Sequence, residues 1–116
     1  MENYTVPSYV ISTIAETVSE NETHASLDSL FMYAEAPGEP PEGSKAVKAL
    51  EWLRRINKVS GSETLTIIGR IIEKYMETDV ETAPTFWRSE EMIEKEKANI
   101  EKIRKALERA GLSYST

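Results

Sequence analysis

The 116-residue chain is 40% hydrophobic and 29% charged, a balance that suits one soluble globular domain with a single modest core and excludes a disordered tract. It has no cysteine, which removes disulfides, thiolate nucleophiles and Cys-rich zinc sites. A net charge of −6 disfavours general affinity for nucleic acid or anionic membranes, and no apolar run approaches the roughly 20 residues that span a bilayer.

The start MENYTVPSYV lacks the basic-then-apolar order of a secretory leader, and the missing cysteines suit a reducing compartment. A cytoplasmic location is the expectation. Charge is unevenly spread. Residues 1–42 carry Glu2, Glu16, Glu20, Glu22, Asp28, Glu35, Glu39 and Glu42 with no Lys or Arg. Residues 43–58 reverse this, with Lys45, Lys48, Arg54, Arg55 and Lys58 against Glu51 alone. The fold should therefore show an acidic region and one basic helix, most simply as two solvated faces that attract each other.

Five helical signals follow in chain order, and the fold class they predict is all-α: a compact bundle of about five helices with a long C-terminal one. The first covers 7–20. It opens at Pro7-Ser8, where a fixed φ suits a first turn, and Val10, Ile11, Ile14 and Val18 form one stripe. The second covers 23–35, with Leu27, Leu30, Phe31 and Ala34 as its apolar face. APGEPPEGS, residues 36–44, has three prolines and two glycines and reads as a firm exposed loop.

Ser44 is a good N-cap for the third helix, 44–58, with Val47, Leu50, Leu53 and Ile56 on one side. After VSGS, Ser60 and Glu63 have capping-box spacing, opening a fourth helix over 62–79. Leu65, Ile67, Ile68, Ile71, Ile72, Tyr75 and Met76 make its face wide enough for the central element. A strand over LTIIGRII is the rival, since isoleucine is β-branched, but strict alternation is missing. The fifth helix covers 86–110, from Phe86 or Ser89, with Ile93, Ile100, Ile103, Leu107 and Ala110 on one side. Glu90 and Glu91 lie in its first turn, Arg104, Lys105 and Arg109 in its last, and Gly111 is its stop. Its stripe could serve a partner helix, but packing within the chain is the simpler expectation. The whole of 1–116 reads as one helical domain.

Catalytic constellations are sparse. Glu16 with Glu20, and Glu90 with Glu94, lie one helical turn apart, but nothing sets their pKa values apart as acid–base work needs. His24 is the only imidazole, too few for a multi-histidine metal site, and it has no G-x-S-x-G elbow nearby. No P-loop, G-x-G-x-x-G or regular calcium loop occurs, so no cofactor and no metal is expected. The HEPN-type ribonuclease pairing of an arginine with a following histidine is missing, because no arginine precedes His24. These readings point away from an enzyme. His24 itself suits a structural bond near the start of its helix, to a backbone group or to Asp28, or an exposed surface role, with ligand sensing as the alternative.

Lys45, Lys48, Trp52 and Arg55 share one face of the third helix, a basic stripe with an aromatic set in it. Such a stripe suits phosphate and a stacked base. Trp52 suits a boundary core position equally well, with Lys and Arg stems lying over it. The opposite charge patches also allow a homo-oligomer, with acidic and basic faces of two copies meeting head to tail.

Taken in order, THASLDSLFMYAEAPGEPPEGSKAVKALEWLRRINK, LTIIGRIIEKYME and ALERAGLSYST resemble the N-terminal domain of bacterial abortive-infection proteins of the AbiJ type. That family's H-x-x-(I/L)-D-x-L-F core corresponds to His24, Leu27, Asp28, Leu30 and Phe31, and its loop to Pro37-Gly38. The resemblance runs from about Pro7 to Tyr114. It implies a non-catalytic helical module in antiphage defence that regulates a C-terminal HEPN-like effector or recruits a partner protein. It also implies that the chain is the N-terminal module of a longer protein or acts through a partner. The signature residues would be mainly structural, with Asp28 and His24 fixing the start of the second helix.

Overall fold

In the computed structural model, residues 5–77 and 89–114 are described. Five helices succeed one another: α1 (Ser8–Asn21), α2 (His24–Tyr33), α3 (Lys45–Val59), α4 (Thr64–Met76) and α5 (Glu90–Arg109). Among the described residues there is no strand, so LTIIGRII is helical and the chain is an all-α bundle with a long C-terminal helix. None of these helices is long and apolar enough to cross a membrane.

Local chemistry sets the helix ends, and several differ from the sequence expectation. The capping box forms at α2, where the Thr23 side chain accepts the Ser26 N–H and the Ser26 hydroxyl accepts the Thr23 N–H. His24, expected to fix this start, is only the first helical residue and is exposed. Replacing Thr23 with alanine should cost about 1 kcal/mol, read as a lower urea midpoint with unchanged slope.

No box forms at Ser60 and Glu63. Gly61–Glu63 make a single 3₁₀ turn instead, and α4 starts at Thr64, whose hydroxyl donates to the Ile56 carbonyl near the end of α3. α2 stops at Tyr33, short of residue 35, because Glu35 takes a left-handed φ of 65°. The Ala36 N–H then reaches the Phe31 carbonyl and the Glu35 N–H the Met32 carbonyl, closing the end as a Schellman turn. Glu35 has no glycine's freedom there, and Arg70 holds both its carboxylate (2.7 Å) and the Ala34 carbonyl (3.4 Å). Gly111 closes α5 in the same way, as expected, with φ 76°. The expected start of the fifth helix at Phe86, and residues 78–79 of the expected fourth, lie outside the described residues. Ser89 is the N-cap of α5.

α1 is clamped between two helices antiparallel to it. On the α3 side, Asn57 exchanges hydrogen bonds with both backbone groups of Val6 (2.8 and 2.9 Å), while Lys45 reaches the Glu22 carbonyl at the far end (2.8 Å). On the α5 side, Lys102 pairs with Glu16 (2.5 Å) and the Arg109 guanidinium lies 4.0 Å from the Tyr9 ring centre. α4 completes the core with Ile67, Ile68, Ile71, Ile72 and Tyr75, but Leu65 stays 42% exposed. The centre expected of α4 is shared with α3, whose Ala49, Trp52, Leu53 and Ile56 are wholly buried. Of the stripe expected on α3, Leu53 and Ile56 are wholly buried and Leu50 partly so, but Val47 is 49% exposed and Trp52 is buried with them.

Candidate functional site

Two polar clusters grow from this arrangement. The first is the inward side of α3. Lys45, Lys48, Trp52 and Arg55 do share a face, but that face is turned toward α2 and the proline-rich loop. Trp52 is fully buried and stacks on Phe31 of α2, with ring centres 4.8 Å apart and planes at 23°. Its indole N–H donates to the Pro37 carbonyl (3.1 Å), and Arg55 Nη1 donates to the carbonyls of Pro37 (2.9 Å) and Glu39 (2.7 Å).

Lys48, 7% exposed, pairs with Asp28 Oδ1 at 2.9 Å. Lys45 takes the Glu22 carbonyl. Each of the four therefore has an internal partner, and a nucleic-acid reading of this stripe has to do without a free indole face or a free Lys48 ammonium. Gly38 belongs to the same arrangement. Its φ is 78°, which strains any other residue, and a Cβ built there would sit 2.5 Å from Arg55 Nη1, so a side chain would also have to displace that guanidinium.

Of the signature residues, Leu27 and Phe31 are buried, Leu30 is partly buried against the core, and Asp28 holds Lys48 in place of the helix start. The motif thus fastens α2 to α3. In the terminal GLSY, residues 111–114, Leu112 and Tyr114 pack back onto the core and the Tyr114 hydroxyl bonds Glu77. That hydrogen bond pushes the Tyr114 phenol up to about 12.

The second cluster was not legible in sequence. Glu22 ends α1 in the break before α2 and is 3% exposed. Its carboxylate accepts Lys74 Nζ on both oxygens (2.8 and 2.7 Å) and the Tyr75 hydroxyl at 2.5 Å. Burial alone pushes the Glu22 carboxyl up; hydrogen bonds from Lys74, Tyr75 and Ser26, with the Lys74 charge, overcome that and leave it below its ordinary range. Burial and the bond to Glu22 hold the Tyr75 phenol far above its own. Near neutrality the carboxylate stays ionised and the phenol protonated.

Glu22, Lys74 and Tyr75 form one wall of a cleft of about 370 Å³, with Asn21 beside them and Met92, Glu96 and Asn99 of α5 opposite. Among the described residues, no three acidic or imidazole side chains converge as a metal site would require. Comparison with protein-family models, curated proteins and solved structures gives no match for this chain. The geometry of the two clusters is the ground for any functional reading.

Proposed function

We propose that the chain is a non-catalytic regulatory and protein-interaction module of the kind that precedes the HEPN-like effector in AbiJ-type abortive-infection proteins. The observation that carries this reading is how the signature is used. Leu27 and Phe31 bury one side of α2, Asp28 engages Lys48, and the Gly/Pro loop that follows is fixed through Pro37 and Glu39. The motif and loop named by the resemblance are thus fastened to α3 as one unit.

The module works in the cytoplasm on an effector domain or partner protein, and its outer surface supplies the recognition. The test is to titrate purified protein into the HEPN-like effector encoded in the same gene or beside it, following RNA cleavage. The expected result is a saturable change in cleavage of at least about tenfold, within the usual span of coupling between sites. An unchanged rate with no binding at tens of micromolar overturns the reading. So does RNA turnover by the pure chain that one point substitution abolishes.

A further inference from the structure

The outward side of the α1–α3 pair carries an ordered charge pattern. On α1, Ser8, Ser12, Glu16 and Glu20 follow one another every four residues, running from neutral to acidic. On α3, Ala46, Leu50, Arg54 and Lys58 do the same, from neutral to basic. Because the two helices are antiparallel, the acidic end of one stripe lies beside the neutral end of the other.

Three shallow grooves join these stripes into one surface. One of about 370 Å³ holds Glu16 and Glu20 beside Ala46 and Leu50. One of about 260 Å³ holds Ser8, Ser12, Leu50 and Arg54. The third, about 350 Å³, holds Arg54, Arg55 and Lys58 with Pro41 and Glu51. Ser12 and Leu50 belong to the first two, so they mark the middle, and Arg54 links the second to the third. From Ala46 to Lys58 the surface extends about 18 Å along α3. Each end contains one opposing charge: Lys102 pairs with Glu16, and Glu51 with Arg54.

A face that is acidic at one end, neutral at its centre and basic at the other is complementary to itself when turned by 180°. We propose that the α1–α3 face binds a second copy of this chain about a two-fold axis near Ser12 and Leu50, the Glu16/Glu20 end of each copy meeting the Arg54/Lys58 end of the other. The small residues Ser12, Ala15 and Ala46 let the two helix pairs approach closely. Two symmetry-related charge junctions replace the single junction of a head-to-tail chain and use up both ends of each copy, so assembly stops at two. This inference uses the α1–α3 surface alone and stands or falls apart from the effector reading.

Sedimentation of the intact chain tests it. At about 50 mM salt the protein should approach a discrete dimer as concentration rises, and about 500 mM salt should shift it to monomer. Arg54→Glu with Lys58→Glu, and separately Glu16→Lys with Glu20→Lys, should each be monomeric. Mixed in equal amounts, these two variants should form a one-to-one heterodimer, because both junctions are again opposite in charge. All four positions are at the surface, and the pairs lost within each chain are exposed ones of small worth. Ser12→Arg sets two guanidinium groups at the axis and should weaken the dimer at least about tenfold even if a charge-reversed variant folds poorly. A wild-type monomer throughout, species that grow beyond two, or a mixture that stays monomeric would each overturn the pairing.

Discussion

Replacing Trp52 with alanine is expected to lower stability by about 3–5 kcal/mol, among the largest effects any single side chain here can have. The indole is wholly buried, so its removal leaves a cavity between α2 and α3 and ends the stack on Phe31. It also leaves the Pro37 carbonyl with Arg55 alone. Against the 5–15 kcal/mol of a typical domain this is a large fraction. For a chain of this length it corresponds to a fall of about 15 °C in Tm. Trp52→Phe keeps an aromatic on Phe31 and loses the N–H, so it should cost about half as much or less. Urea denaturation of both variants checks the order. A Trp52→Ala loss below about 1 kcal/mol would mean that the stripe on α3 is not buried as described.

Glu22→Gln should remove about 2 kcal/mol at neutral pH, because a charge-assisted hydrogen-bond pair to Lys74 is replaced by a neutral one in a buried site. The larger consequence lies in acid. The folded Glu22 carboxyl is held below its ordinary value of 4.5, so the unfolded chain takes up the proton first as pH falls. Its contribution is therefore fully present above about pH 5 and is lost as pH drops through 4.5 toward the lower folded value. Wild-type protein should lose stability across that window more steeply than Glu22→Gln, with the two curves converging at the acid end. Urea midpoints at a series of pH values from neutral to about 3 test the sign. Parallel curves would show that Glu22 is not the group responsible.

Sequence periodicity located all five helices because each carries a stripe that must be covered. Periodicity states which residues share a side, however, and not where that side points. Val47, Leu50, Leu53 and Ile56 form a plausible apolar stripe on α3, yet the helix turns Trp52 and Lys48 inward. It can do so because Asp28, 20 residues earlier in the chain, neutralises the buried ammonium. Such a pairing cannot be seen in a local window. Glu22 was illegible for a related reason: it sits outside any repeat, and its partners Lys74 and Tyr75 are 52 and 53 residues away. Capping went astray where two hydroxyl residues serve each other. Thr23 and Ser26 lack the glutamate that normally signals the motif, whereas Ser60 and Glu63 have it and enter a 3₁₀ turn.

The grip of α3 on the segment after α2 acts on main-chain oxygens: Trp52 and Arg55 hold the carbonyls of Pro37 and Glu39 and touch none of that segment's side-chain functional groups through these bonds. A peptide path anchored in this way is indifferent to most of the lettering written on it. Glu39, Pro40 and Glu42 can be exchanged for other residues while the trace of the backbone persists, so this stretch can acquire new surface chemistry without any redesign of the body beneath it.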